Sequence, residues 1–245
     1  MQTQNILVFS AHAADFCSRS GGTLAKYARQ GSKVRVVDLT YGERGESANL
    51  WASRAGKIEV EEVKAIRKNE AIRAAAILGA EIEFLDFDDY PLVIDKERLI
   101  AIAAKIKTVR PTIVLTHWQN DPVNPDHMIA AEAVQRACVI ADAPGFRPET
   151  PRLPHPALFM FEPDVTATEL TGFVPDTYVD ITDVFEQKMT ALCELATQSN
   201  LPEYYTRYAM HRAHQARGLG HQPEIKYAEG FKRYRPMVGS ELVVG

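Results

Sequence analysis

The sequence predicts an α/β protein, a Rossmann-like, mostly parallel sheet flanked by helices. Three observations predict it. Short apolar runs alternate with stretches of helical periodicity through the first half of the chain. The helical stretches are long enough to serve as right-handed crossovers between parallel strands. The polar residues that are too specific to be loop filler collect where the apolar runs end, which is where ligands bind in open α/β sheets.

Element by element, "NILVFSA" (5–11) reads as a buried strand, and "SGGTLAKYARQG" (20–31) as a helix opened by the Gly-Gly pair and closed by Gly31. "KVRVVDLTY" (33–41) is the second strand. "VEEVKAIRKNEAIRAAAILGA" (60–80) carries apolar residues at helical spacing before Gly79, and "EIEFLDFDDY" (81–90) follows as the third strand. After the helix "DKERLIAIAAKIKTVR" (95–110), Pro111 marks the start of the strand "TIVLTHW" (112–118), and "HMIAAEAVQRACVIA" (127–141) is a helix. The Pro-rich "DAPGFRPETPRLPHP" (142–156) is expected to be a surface excursion. "ALFMFEP" and "TYVDITD" read as later strands, and "VFEQKMTALCELATQSN" (184–200) as one long helix with Asn200 near its end. The chain is expected to form a single catalytic domain, 1–245, with 201–245 a tail packing near the active site. That tail holds His211, His214 and His221, three of the seven histidines.

Composition narrows the function. Apolar residues make up 46% of the chain and charged residues 24%, values ordinary for a globular protein and against disorder. A net charge of -4 leaves no basic footprint for nucleic acid, and no polybasic helix suits an anionic membrane. No apolar run reaches membrane-spanning length, and the first residues do not read as a secretory signal, so the cytoplasm is the expected location. Cys17, Cys138 and Cys193 are odd in number and far apart, which argues for reduced thiols rather than a disulfide framework.

The strand ends carry the chemistry. His12 and Asp15 follow the first strand, "YGERGES" (41–47) the second, "DFDDY" (86–90) the third and "HWQNDPVNPDH" (117–127) the fourth. A turn leaving a strand can aim residues three apart into one cleft, so His12 and Asp15 can share a metal. His127 supplies a third ligand, and Asp126 is placed to orient one of them. Two histidines and a carboxylate with open positions suit zinc, with ferrous iron or cobalt as alternatives.

Taken together, "SAHAADF" with its Gly-Gly helix, "YGERGES", Arg67 and Glu70 before "AAAILGA", "NPDH" and the late "YAEGF" resemble the PIG-L/LmbE-like zinc deacetylase superfamily over most of the chain. The resemblance implies that His12, Asp15 and His127 are metal ligands. It also exposes a departure. The superfamily's first motif is His-Pro-Asp-Asp-Glu, whose first aspartate is the general base, and here Ala14 holds that position. Ala13 and Phe16 replace the proline and glutamate, and Asn124 stands where the oxyanion-stabilising histidine begins His-Pro-Asp-His.

A metal site kept without its hydrolytic base is similar to that of a hydratase subgroup, which shares "SAHxADF", "YGERGES" and "FEP" with a later "DIT". Membership there implies addition of water to 4-carboxy-2-hydroxymuconate (4-oxalomesaconate), a polycarboxylate of gallate and protocatechuate breakdown, and a homo-oligomer. The base is then Glu46, or else Glu43, and Asp164 stands where that subgroup is expected to have an acid/base histidine. Asp164, His155, His211 and His214 are weaker acid candidates. Arg44, Arg67, Asn124, Arg212 and Arg217 are the candidates for holding the substrate's carboxylates, a task for which the guanidinium fork is suited. Two rival expectations remain: an amide deacetylase with a substituted base, and a silent scaffold holding a metal.

Overall fold

Strand β1 (Asn5–Ser10) is covered on both faces. Ile6 and Val8 enter one apolar core while Leu7 and Phe9 enter another, as the two-residue period of a strand requires. The structure is a computed structural model and describes residues 3–55, 57–163, 168–220 and 222–238. From β1 the order is α1 (Asp15–Arg29), β2 (Lys33–Asp38), α2 (Ala48–Ser53), α3 (Val60–Leu78), β3 (Glu81–Phe84), α4 (Lys96–Val109), β4 (Ile113–His117) and α5 (Pro125–Asp142). Then come β5 (Ala157–Phe161), α6 (Thr168–Thr171), β6 (Thr177–Asp180), α7 (Phe185–Cys193), α8 (Leu201–Gly220) and β7 (Ala228–Arg233).

The seven strands lie in the order β3-β2-β1-β4-β5-β7-β6. β1 to β5 are mutually parallel, and β7 is antiparallel to both β5 and β6. The expected α/β architecture is therefore present. Helices α1, α3, α7 and α8 close one core through residues such as Phe16, Leu24, Ala74, Leu78 and Leu192. Helices α4 and α5 close the other through Leu99, Ile102, Ile106, Ala130 and Val134.

Four elements differ from the sequence expectation. Helix α1 starts at Asp15 rather than Ser20, so the Gly-Gly pair lies inside it. Gly22 is there for close approach: a Cβ would sit 2.7 Å from the Ile181 side chain. The third strand stops at Phe84, because Asp86, Asp88 and Tyr90 take positive φ angles that no strand accommodates.

The long helix expected over 184–200 breaks after Cys193. The Thr197 N–H and hydroxyl both donate to Glu70 Oε1, at 2.9 and 2.8 Å, and the turn so captured places Asn200 just before α8 instead of at a helix end. Finally, part of the expected tail is a strand of the sheet. β7 runs between β5 and β6, and its Glu229 accepts from the Gly22 and Thr23 N–H groups and from the Lys188 ammonium at 2.7 Å. Residues 143–156 form the irregular, largely exposed excursion that their prolines predict.

Candidate active site

The order of the strands reverses at β1, whose neighbours β2 and β4 are reached by connections running opposite ways. A crevice opens there at the strand carboxyl ends. His12 lies two residues past β1, His117 ends β4, and His127 sits in the first turn of α5, whose start is fixed by Asn124 and Pro125. Glu46 arrives on the loop after β2. Gly42 lets that loop fold close, with φ +71° and a would-be Cβ 3.2 Å from the His12 Cβ.

His12, Asp15, Glu46 and His127 each bring one donor atom to a common point, all within 4.8 Å of one another. His12 Nδ1 lies 3.4 Å from Asp15 Oδ2 and 3.2 Å from Glu46 Oε1. His127 Nε2 lies 3.5 Å from Asp15 Oδ1. The two remaining ring nitrogens face carboxylates: His12 Nε2 is 3.4 Å from Asp126 Oδ2, and His127 Nδ1 donates to Asp121 Oδ2 at 2.8 Å. Asp126 is itself fixed by the N–H groups of Tyr90 and Leu92. Such outer carboxylates set the tautomer and aim the free lone pair inward.

The electrostatics call for a cation. Burial disfavours a charged His12, yet the Glu46 carboxylate, helped by Asp126 and Asp15, lifts the imidazole well above its ordinary value. Burial equally disfavours ionised Asp15 and Glu46, but the His127 ring holds Asp15 well below the usual carboxylate range and His12 does the same for Glu46. His12 Nδ1 and His127 Nε2 are nevertheless buried without a hydrogen-bond partner. Two unpartnered imidazole nitrogens converging between two carboxylates fit a divalent metal with mixed N/O preference.

Behind them, burial and then His127 depress His117 to about 3, so its neutral ring accepts the Ala11 N–H through Nε2 at 2.9 Å.

The sequence-derived candidates separate into three groups. His12, Asp15, His127 and Glu46 are brought together, with Asp126 directly behind. Asn124 donates to Glu46 Oε1 at 3.3 Å. Arg67 is wholly buried and steadies Glu46, Nη2 to Oε2 3.6 Å, while bonding the Tyr41 carbonyl and Glu70. Arg67 therefore supports a carboxylate of the protein.

The remaining candidates are placed elsewhere. Glu43 is buried, but its oxygens accept from the Tyr41 and Asp89 N–H groups and from Arg44, so it serves the loop and not the donor cluster. Arg44 is held by Glu43 and Asp88. Arg212 makes a fork with Glu162 and a bond to Gln215, and Arg217 donates to the Ile225 carbonyl. Neither these three arginines nor Arg67 lines the cleft beside the donor cluster. His155 pairs with Asp142 at the surface, and His211 and His214 are exposed on α8. Asp164 lies outside the described residues.

That cleft has two connected lobes of about 350 and 300 Å³, sharing Glu46, Val123, Gln198 and Asn200. Ala14 lines the larger lobe and Asn124 the smaller. Sequence reasoning missed Asp121, His117 and Arg19. Asp121 was signalled only by lying in the same Asp-Pro segment as His127. Arg19 is one helical turn after Asp15, a relation hidden while α1 was taken to begin at Ser20.

The Asp121 carboxylate makes a test of this arrangement. Asp121→Asn is expected to weaken zinc binding by about 10–100-fold, the usual cost of losing an outer carboxylate, as read by competition with a chromophoric chelator.

Residues 7–138 match the PIG-L family, described as GlcNAc-PI de-N-acetylase, and the chain belongs to that family. Within it, the chain is 43% identical over 242 residues to a 4-oxalmesaconate hydratase of Pseudomonas putida, covering 98% of this chain and 92% of that one. It is also similar to the crystal structure of GalB, the 4-carboxy-2-hydroxymuconate hydratase of Pseudomonas putida, with a TM-score of 0.92 and 42% identity over 99% and 100% of the two chains. A probable N-acetyl-alpha-D-glucosaminyl L-malate deacetylase of Bacillus cereus is 28% identical over 77% of this chain and 81% of its own.

Proposed function

We propose that the chain is a hydro-lyase that adds water to 4-carboxy-2-hydroxymuconate (4-oxalomesaconate), giving 4-carboxy-4-hydroxy-2-oxoadipate in gallate and protocatechuate breakdown. The observation that carries this reading is Ala14. Its methyl group lines the cleft beside an intact donor cluster, where the resemblance to deacetylases requires a carboxylate base. Near-full-length similarity in sequence and in structure to the hydratase of Pseudomonas putida supports it.

His12, Asp15 and His127 would hold the metal, zinc in this proposal, with Glu46 at its side. When bound, such an ion supplies Lewis-acid stabilisation of the negative charge that gathers on substrate oxygens during addition. Glu46 is kept ionised and is oriented by Asn124 and Arg67, so it takes a proton from the attacking water. The water oxygen bonds to C4, the C4–C5 π pair moves to C5, and C5 takes a proton; for the enol form, loss of the C2 hydroxyl proton and protonation at C3 then give the 2-oxo group. We assign the proton taken by C5 to Asp164, on the ground that the resemblance expects an acid/base residue at that position.

The amide groups of Asn49, Asn124, Gln198 and Asn200 give the cleft neutral donors suited to carboxylates. The proposal extends to a cytoplasmic homo-oligomer, in keeping with three free cysteines. No helix among the described residues is long and apolar enough to cross a membrane.

The test is an ultraviolet assay with 4-carboxy-2-hydroxymuconate, run on metal-loaded and metal-stripped protein side by side. Metal-dependent loss of the conjugated absorbance, with the hydrated oxoadipate as product, is the expected result. Absorbance unchanged in both samples would overturn the assignment.

A further inference from the structure

We infer that Arg19 is the residue that selects for a polycarboxylate, by binding one of the substrate's carboxylates; this rests on the hydratase reading and deepens it. A substrate with three carboxylates cannot be held by a metal and neutral amides alone without leaving buried anionic charge unmatched. The four arginines that the sequence offered line neither lobe of the cleft. Among the described residues that do line it, Arg19 is the one cation.

Its placement is that of a built recognition element. Arg19 is 7% exposed and lines the larger lobe, and it also borders a neighbouring cavity shared with Glu162, Tyr208 and Arg212. Nε donates to Asp15 Oδ1 at 3.3 Å, and Nη1 donates to the Glu162 carbonyl oxygen. These bonds fix the plane of the guanidinium, so a carboxylate meets a group whose conformational entropy has already been spent. The same lobe is lined by Leu201, Tyr204 and Tyr205 of α8 and by Asn200, with Tyr205 beside Arg19. The smaller lobe has no cation. One end of the substrate is thus read by charge and the other by neutral hydrogen bonding, which fixes its direction in the cleft.

Because Arg19 also touches Asp15, a merely supporting role must be separable from carboxylate recognition. The experiment measures binding of tricarballylate and of acetate to the zinc-loaded protein by calorimetry, for wild type and Arg19→Gln, with zinc content determined on the same samples. Acetate reports only what the donor cluster can hold. The expected result is a tricarballylate affinity about 10–100-fold lower in the variant, the range for a lost charge-assisted hydrogen bond, with acetate affinity within about 2-fold of wild type.

Equal losses for both ligands, or no loss for either, would overturn the inference. If Arg19→Gln does not retain zinc, Arg19→Lys replaces it. Charge without the fork should then give an intermediate loss for tricarballylate alone, and unchanged affinity would again overturn the inference. These readouts need no turnover. Failure of the wild type to hydrate 4-carboxy-2-hydroxymuconate would sink the proposed reaction, whereas the binding comparison decides the role of Arg19 by itself.

Discussion

Glu46→Gln is expected to lower kcat by about 10²–10⁴-fold, the range for loss of a positioned general base. The substitution keeps the side chain's shape and leaves an oxygen to accept from Asn124, but removes the proton acceptor 3.2 Å from His12 Nδ1. Steady-state kinetics with zinc content measured on the same sample separates two roles. Retained zinc with lost turnover identifies a base; zinc lost in step with activity identifies a fourth ligand. Turnover equal to wild type would remove Glu46 from the reaction. The pH profile carries a sign as well. His12 holds the Glu46 carboxyl below its ordinary value, so the basic form is present above that lowered pKa and disappears only as pH falls through it. The acid limb of kcat/KM that belongs to Glu46 therefore lies below about pH 4.3, the unperturbed glutamate value, and is absent from the variant.

Ala14→Asp separates the hydratase from the deacetylase. Ala14 precedes α1 at its N-terminal boundary, makes no side-chain capping bond, is 3% exposed at the edge of the core that holds Phe16 and Cys17, and lines the cleft. What it adds is a third carboxylate beside Asp15 and Glu46. Like charges about 5 Å apart repel by roughly 3 kcal/mol at an effective dielectric near 20, which corresponds to a rise in KM of about 10²-fold for the polyanionic substrate. A kcat/KM reduced by that order in protein that remains folded, with a melting temperature lowered by the added buried charge, is the expected outcome, measured by thermal denaturation and the ultraviolet assay. A deacetylase lacking its base would do the reverse: the restored aspartate would raise acetate release from N-acetylated amino sugars. That gain would overturn the hydratase reading.

The accuracy of the sequence reading tracks how local each feature is. His12, Asp15 and His127 were legible because a residue just past a buried parallel strand has one place to go, the carboxyl end of the sheet, and β1 and β4 announce themselves by apolar composition. Glu46 was legible for the same reason, on the loop after β2. The boundaries were less so. Nothing local to "SRSGG" shows that Gly22 lies against Ile181, and nothing local to "CELATQSN" shows that Glu70 captures Thr197 and breaks the helix there. Both facts belong to contacts between segments more than a hundred residues apart in sequence.

The arginines mark the limit most plainly. A guanidinium has five donors and takes whichever carboxylate or carbonyl the fold sets beside it. Arg212 finds Glu162, Arg217 finds the Ile225 carbonyl and Arg67 finds Glu46, and the sequence contains no trace of those choices. Arg19, unremarkable as a letter in α1, is the arginine that lines the cleft. By itself the sequence determined the parallel sheet and the crevice at its carboxyl ends, through apolar periodicity, and it offered His12, Asp15 and His127 as donors there through strand-end position joined to a family resemblance. Only the tertiary structure decided which arginine lines that crevice, because the acceptors that hold Arg44, Arg67, Arg212 and Arg217 away from it are set beside them by the fold.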